Sequence, residues 1–128
     1  MIPFTDIFTR FLRYDHDKTC IEIGCNPGYF LVHMHKHYGF KIFGVDYINI
    51  EWTRKNLHNF GISDFSPQKI DFLNWHTDQL FDVVFSSGFI EHFDDYRELF
   101  WMHAQLLKPG GMLILIVPNF RYGQYALR

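Results

Sequence analysis

The feature that most restricts the fold is an alternation of short apolar runs with amphipathic stretches, which begins near Thr19. Five apolar runs occur, at residues 20–23, 42–45, 69–72, 81–85 and 112–117. Several of these runs are continuously apolar, as strands buried on both faces of a sheet are. Such runs separated by helices are typical of an α/β protein with a mostly parallel sheet. The sequence therefore predicts about five strands flanked by helices.

Apolar residues at helical spacing predict the helices between the strands. The predicted helices lie around residues 30–38, 49–60 and 96–107, and a further helix at residues 5–14 would lie against the sheet. Asp94 or Asp95 would cap the helix at 96–107. The segment Lys108-Pro109-Gly110-Gly111 would end that helix before the fifth strand.

A glycine-containing turn connects the first apolar run to the first helix that follows it. Gly24 would let the backbone turn and approach a ligand closely, and Gly28 would allow a tight helix start with free N–H groups. Those N–H groups and the helix dipole would bind a carboxylate or a phosphate. Strand-to-helix turns also contain glycine for purely steric reasons, so this pair indicates a ligand only together with other features.

Three further clusters follow strands at the same predicted edge of the sheet. Asp46 ends the second run, where a carboxylate can accept hydrogen bonds from two ribose hydroxyls. Asp71 and Phe72 end the third run, where an acid and a ring could meet an adenine, and Ser87-Gly88-Phe89 follows the fourth. Open α/β sheets bind ligands at the carboxyl ends of their strands. Singly, Asp46 could be a helix cap and Asp71 a turn residue, but together the clusters favour a nucleoside-containing cofactor.

These motifs resemble those of the class I S-adenosylmethionine-dependent methyltransferases, a family with a Rossmann-like sheet. Residues 22–28 resemble the family's first motif, Val45-Asp46 its acidic second motif, and Ile70-Asp71-Phe72 the strand end that meets adenine. Residues 81–93 and 107–111 are similar to its fourth and fifth strand regions. The resemblance covers nearly all of residues 19–118 and implies the strand order 3-2-1-4-5.

The resemblance also implies S-adenosylmethionine as the cofactor and assigns residues to its parts. The methionine part would be lined by Gly24, Cys25 and Gly28, and the ribose would be bound by Asp46. Asp71 and Phe72 would lie at the adenine, and Gly88 and Phe89 would form the floor near the sulfonium. The predicted cofactor-binding set is completed by Glu22, Asn26, Tyr47 and Ser87.

The implied reaction is methyl transfer to an acceptor that we expect to be a small molecule. Such an in-line displacement needs aligned reactants rather than a covalent nucleophile. His92 is the candidate base for an acceptor proton, because a near-neutral pKa suits that step. A structural role at the start of a helix is the alternative for His92.

Two departures from the family pattern are visible. Asn26 stands where the family often has a glycine, although Asn enters the left-handed region more readily than most residues. The family's sheet normally continues past the fifth strand with a helix and an antiparallel strand pair, whereas this sequence ends at Arg128. Because residues 118–122 resemble the start of that next helix, we interpret residues 1–128 as one cofactor-binding domain that is incomplete at its C-terminus. A short form that dimerises through an exposed sheet edge is the alternative.

Two other functions remain open at this stage. An NAD-dependent Rossmann oxidoreductase would also use a strand, a glycine turn and an acid, but it prefers GxGxxG, whereas this chain has Gly24 and Gly28 with Pro27 between them. A non-catalytic cofactor-binding domain would retain the same fold, and fold alone does not separate these functions.

Charge and cysteine content exclude several other classes. The net charge of -2 lacks the basic surplus of nucleic-acid-binding proteins. No apolar run approaches the ~20 residues of a membrane span, so we expect no membrane interaction and a cytoplasmic location. Cys20 and Cys25 are predicted to be free thiols, because a disulfide between them would distort a strand and a turn. His33 and His37 share a helix face without a third ligand, so no metal site is predicted.

Overall fold

Five parallel strands form the centre of the fold in the computed structural model, which describes residues 2–118. The strands are β1 (Thr19–Ile23), β2 (Lys41–Asp46), β3 (Gln68–Lys69), β4 (Phe81–Ser87) and β5 (Leu107–Ile116). Their order across the sheet is β3-β2-β1-β4-β5, and every neighbouring pair is parallel. This arrangement confirms the predicted Rossmann-like class and strand order.

Helices cover both faces of this sheet. They are α1 (Thr5–Phe11), α2 (Tyr29–Tyr38), α3 (Glu51–Asn59) and α4 (Tyr96–Ala104), with short 3-10 turns at Phe72–Asn74 and Ile90–His92. One core cluster joins the buried side chains of α1, α2 and α3 to one face of the sheet, and a second joins α4 and both 3-10 turns to the other. Within residues 2–118, none of these helices is both long enough and apolar enough to span a membrane.

The double-sided core follows from the apolar runs. Residues 20–23 of β1 are all buried, with Cys20 in the first cluster and Ile21 and Ile23 in the second. Burying a large aliphatic or aromatic side chain contributes roughly 1.5–3 kcal/mol, so a run of this kind is stable only between two layers of helices. The central strand therefore fixes the sheet in the middle of the molecule.

The third strand is shorter than the sequence predicted. The residues of β3 that pair with β2 end at Lys69; the N–H of Ile70 still donates to the carbonyl oxygen of Asp46 at 2.8 Å, and Asp71 and Phe72 lie beyond this bond. Asp71 instead accepts a hydrogen bond from the backbone N–H of Leu73 at 3.2 Å and starts the 3-10 turn at Phe72. A local bond from an Asp side chain to the backbone has replaced strand pairing here.

The fifth strand starts earlier than predicted. The helix α4 ends at Ala104, so Leu107 belongs to β5 and not to the helix. Phe81 pairs with Leu107 and Val83 with Met112, so residues 108–111 form an irregularity inside the strand instead of a connection before it. Asp95, one of the two predicted caps, accepts a hydrogen bond from the Glu98 N–H at 3.2 Å. Of residues 118–122, which resemble the start of a further helix, positions 119–122 lie outside the described residues.

A completely buried histidine connects α4 to the aromatic residues of the second cluster. His103 has 0% exposure, and its Nδ1 lies 2.6 Å from the carbonyl oxygen of Leu99. Its ring centroid lies 5.0 Å from that of Phe72 and 5.9 Å from that of Phe89. When Nδ1 donates to Leu99, Nε2 is left as a buried acceptor without a hydrogen-bond partner among the described residues. Burial lowers the pKa of His103, although the bond to Leu99 opposes that shift.

Replacing His103 by Phe tests this burial. The unfolded chain takes up a proton near the ordinary histidine pKa of about 6.5, whereas the folded-state pKa is lower, so stability falls as the pH drops below about 6.5. We expect His103→Phe to reduce the loss of unfolding free energy between about pH 7.5 and pH 5 by on the order of 1 kcal/mol. Urea denaturation measures this loss. His58→Phe, at an exposed position of α3, should leave the wild-type pH dependence unchanged; equal effects of the two substitutions would contradict the interpretation.

Candidate cofactor site

A cleft opens at the carboxyl edge of the sheet, where β1 and β2 end and where the segments after β3 and β4 come together. Its volume is about 290 Å3, near the lower end of the range for small-molecule sites. The lining residues are Ile23, Gly24, Val45, Asp46, Tyr47, Ile70, Asp71, Phe72, Leu73, Phe89 and Phe93. This is the edge at which open α/β sheets bind their ligands.

Six of the twelve predicted cofactor-binding residues line this cleft. They are Gly24, Asp46, Tyr47, Asp71, Phe72 and Phe89. The other six do not line it, namely Glu22, Cys25, Asn26, Gly28, Ser87 and Gly88. Sequence reasoning missed the apolar lining of Ile23, Val45, Ile70, Leu73 and Phe93. Four of these are direct chain neighbours of a predicted residue, and this adjacency was the available signal.

Gly24 allows an aromatic side chain to lie against the turn. Its φ angle is +72°, and a Cβ atom on it would lie 2.8 Å from Cδ2 of Phe89. The N–H groups of Gly24 and Cys25 both donate to the carbonyl oxygen of Val45, at 2.8 and 3.1 Å. The turn is therefore held to the end of β2, and the Phe89 ring occupies the space that a side chain at Gly24 would need.

Gly28 starts α2 without a side-chain cap. It adopts a φ angle of +98°, and no side chain accepts a hydrogen bond from the first turn of the helix. The first N–H groups of a helix have no intrahelical acceptor, and the helix dipole adds partial positive charge there. This helix start can therefore bind an anionic group.

Asp46 connects the end of β2 to the glycine turn. Its Oδ2 accepts a hydrogen bond from the N–H of Asn26 at 3.0 Å, and its Oδ1 accepts one from the N–H of Ile48 at 3.2 Å. Each carboxylate oxygen accepts more than one hydrogen bond, so both retain capacity for a ligand hydroxyl. Asp46 thus both orders the turn and presents a charge to the cleft.

Asp71 is engaged in its own turn. Besides the bond from Leu73, its Oδ2 accepts a hydrogen bond from the side-chain amide of Asn74 at 2.5 Å. These contacts match the turn-residue alternative for Asp71, although the residue also lines the cleft. The two bonds use only part of the acceptor capacity of the carboxylate, so Asp71 can still accept a hydrogen bond from a ligand.

Glu22 is a buried acid behind the turn. Its exposure is 3%, and its Oε1 has no hydrogen-bond partner among the described residues. Burial raises the pKa of Glu22 well above its usual range, and the nearby charge of Asp46 raises it further. An orphaned acceptor at such a position costs stability unless a donor reaches it.

Cys25, at the glycine turn, and Ser87 and Gly88, at the end of β4, do not line the cleft. Cys20 and Cys25 are both free and buried, which confirms the predicted free thiols. Burial, reinforced by Glu22 and Asp46, raises the pKa of Cys25 to about 12, so this thiol is neutral. The N–H of Gly88 donates to the carbonyl oxygen of Ile116 at 2.9 Å and so extends the pairing of β4 with β5.

His92 is exposed at the end of the second 3-10 turn. Its side chain is 73% exposed, and its Nε2 lies 3.7 Å from Oε1 of Glu91. It does not line the cleft. A role as base stays a prediction.

Within residues 2–118, one group of three residues could offer metal ligands, Asp15, His16 and Asp17, and it lies in a turn where His16 and Asp17 are exposed. Exposed groups of this kind commonly hold no ion, and the predicted lack of a metal site stays a prediction.

Replacing Glu22 by Gln tests the burial of this acid. The folded-state pKa of Glu22 lies above the ordinary value of 4.5. Above about pH 4.5 the folded chain therefore binds more protons than the unfolded chain, and the unfolding free energy falls as the pH rises. We expect Glu22→Gln to raise the unfolding free energy at about pH 7.5 by roughly 1–3 kcal/mol and to lose this advantage near pH 4. Chemical denaturation of the ligand-free chain provides the measurement. The matched control is Glu98→Gln on the exposed face of α4, which should change little at either pH. If Glu22→Gln lowered the unfolding free energy at neutral pH, burial of the Glu22 carboxyl would not be the cost that we infer.

Comparison with known proteins agrees with this geometry. A family model described as Methyltransferase domain matches residues 4–127. The chain is 28% identical over 120 residues to the trans-aconitate 2-methyltransferase of Escherichia coli O139:H28, and the alignment covers 91% of this chain and 45% of that protein. The chain therefore spans less than half the length of this curated relative.

Solved structures share the fold. A protein of Methanococcus maripaludis, named as a candidate S-adenosyl-L-methionine-dependent methyltransferase, superposes with a TM-score of 0.74 at 25% identity, over 86% of this chain and 51% of that one. A methyltransferase of Thiobacillus denitrificans in complex with S-adenosyl-L-homocysteine superposes with a TM-score of 0.70 at 19% identity, over 81% and 42%. Because the family model matches residues 4–127, which include all five strands and the cleft, the chain belongs to the Methyltransferase domain family.

Proposed function

We propose that this chain binds S-adenosylmethionine in the cleft and forms the cofactor-binding part of an enzyme that methylates a small molecule. The observation that carries the proposal is the charge of the cleft. Its ionisable lining side chains are the carboxyls of Asp46 and Asp71 and the phenol of Tyr47, and none of its lining residues is basic. Carboxylates favour a ligand that carries a sulfonium cation and disfavour one that carries a diphosphate.

The remaining features fit the parts of this cofactor. Phe72, Ile70 and Leu73 offer apolar contact to a flat base, and Asp46 offers acceptors to sugar hydroxyls. The uncapped start of α2 suits a carboxylate, and the orphaned Oε1 of Glu22 would be satisfied by an ammonium donor. Family membership, and the S-adenosyl-L-homocysteine complex of the Thiobacillus protein, support the same assignment.

When bound, the cofactor would supply a methyl group on a sulfonium, and an acceptor atom would bond to the methyl carbon as the carbon–sulfur bond breaks and S-adenosylhomocysteine leaves. The chain itself would bind and align the cofactor, and a well-oriented pair of reactants can gain roughly 7–11 kcal/mol relative to free reactants. Phe89 and Phe93 would keep water away from one wall of the cleft. No covalent nucleophile on the protein is needed.

Several finer assignments stay predictions. Residues 1–128 are predicted to form one cofactor-binding domain, with His92 as a base, and the roles of the twelve cofactor residues are part of this proposal. The same holds for a cytoplasmic location and for the exclusion of nucleic acid. A homodimer through the sheet edge also stays a prediction; within residues 2–118, β5 pairs with β4 alone. The acceptor is left open.

The second candidate is NAD binding, which one observation favours. The start of α2 would accept a phosphate as well as a carboxylate, since both are anions that its N–H groups can bind. Against it stand the two carboxylates that line the cleft. We therefore rank an NAD-dependent function second.

A thermal-shift titration separates the two ligands. We expect S-adenosylhomocysteine to stabilise the chain, by about 2.7 kcal/mol at one hundred times its Kd, and NAD at the same concentrations to have no effect. Asp46→Asn should weaken binding of S-adenosylhomocysteine at least about tenfold, because it removes a charged acceptor.

The matched control is Asp78→Asn, which makes the same chemical change at an exposed position away from the cleft. It should bind S-adenosylhomocysteine like the wild type. Stabilisation by NAD without stabilisation by S-adenosylhomocysteine would refute the proposal.

A further inference from the structure

Two buried polar side chains of α3 reach across to the glycine turn. Thr53 has 0% exposure and Asn56 has 8%. The hydroxyl of Thr53 donates to Oδ1 of Asn26 at 3.0 Å, and Nδ2 of Asn56 donates to the carbonyl oxygen of Pro27 at 2.9 Å. Thr and Asn are mostly exposed in proteins, and burying them without a hydrogen bond is unfavourable. Their burial here depends on these two bonds to the turn.

Asn26 connects three elements through one residue. Its backbone N–H donates to Asp46 at the end of β2, and its side chain accepts from Thr53 on α3. A glycine at this position would retain the first bond and lose the second. The position where the sequence departs from the resembled family's pattern is therefore the position that α3 contacts.

Thr53 also lies against the start of α2. A Cβ atom on Gly28 would lie 2.8 Å from Cγ2 of Thr53, so the two residues are in close contact. The methyl group of Thr53 thus packs against Gly28, at one end of residues 26–28, and its hydroxyl donates a hydrogen bond to Asn26 at the other end. Neither Thr53 nor Asn56 lines the cleft. Any effect of these side chains on a ligand in the cleft must act through the turn.

We propose that Thr53 and Asn56 are positioning residues, which hold residues 26–28 in the conformation that binds the amino-acid end of the cofactor. The inference rests on the proposed binding of S-adenosylmethionine and adds the two side chains that would order the glycine turn at that site. The Asn26 side chain gives α3 a point of attachment that a glycine would lack. A turn held in place before binding spares the ligand the entropic cost of ordering it.

A double-mutant cycle between Thr53 and Asn26 tests this role. Thr53→Val removes the hydroxyl and keeps a β-branched side chain of similar shape, and Asn26→Gly removes its acceptor. We expect Thr53→Val to raise the Kd for S-adenosylhomocysteine about tenfold in the wild-type background, and less than about twofold in the Asn26→Gly background. Isothermal titration calorimetry gives the four Kd values.

Thr53→Ser is the matched control, because it restores the hydroxyl and should bind within about twofold of the wild type. Thermal unfolding of the ligand-free variants supplies the second readout. A merely structural role would lower the melting temperature of Thr53→Val without changing its Kd. Asn56→Asp, which removes the donor to Pro27 with little change in size, should also raise the Kd.

The outcomes separate this inference from the function on which it rests. If the wild-type chain does not bind S-adenosylhomocysteine, both proposals are overturned. If the wild type binds it and Thr53→Val binds equally well, only the positioning role is refuted. The same holds if Thr53→Val weakens binding equally in both backgrounds, since the two side chains would then act independently.

Discussion

The parallel pairing of β1 with β2 and β4 is the constraint on which the site depends. In a parallel sheet the carboxyl ends of neighbouring strands lie on one edge, and the register aligns Ile23 with Val45 and with Ser86. The residue after each strand therefore comes to the same place, although the residues are far apart in sequence. Because β1 is buried on both faces, its position is fixed by the core and not by the ligand. The cleft is thus a consequence of the topology.

The buried carboxyl of Glu22 near this edge costs stability in the ligand-free chain. Glu22 is buried without a partner for Oε1, its pKa is raised, and the charge of Asp46 adds to the cost. An apolar residue at position 22 would avoid the cost of burying a polar group without a partner. Natural proteins accept such local conflicts mainly at functional sites. The cost of burying Glu22 is therefore itself a reason to connect it with a positively charged ligand group.

The apolar runs made the parallel sheet predictable, and the resemblance to the methyltransferase family made its strand order predictable. Hydrophobic periodicity does not show where a side chain competes with strand pairing for backbone N–H groups. It therefore could not show that Asp71 would accept a hydrogen bond from Leu73 and that β3 would end early. The irregularity within β5 was likewise hidden, because Gly110 and Gly111 are also typical of a turn.

The attachment of α3 to the turn could not be predicted for a different reason. Thr53 and Asn56 lie at helical spacing from Leu57 and Phe60, so the pattern puts them on the apolar face of α3, but it does not show which groups would accept their hydrogen bonds. They are buried because Asn26 and Pro27, about thirty residues earlier in the chain, offer them acceptors. Contacts of this kind depend on how the helix docks on the sheet. Sequence periodicity carries no information about that docking.

A crystal structure of the chain with S-adenosylhomocysteine tests the central claim most directly. The account predicts the adenosine in the cleft between Asp46 and Asp71, with the amino-acid end at the start of α2 beside residues 26–28. Density for the ligand at another surface, with the cleft filled only by solvent, would contradict it.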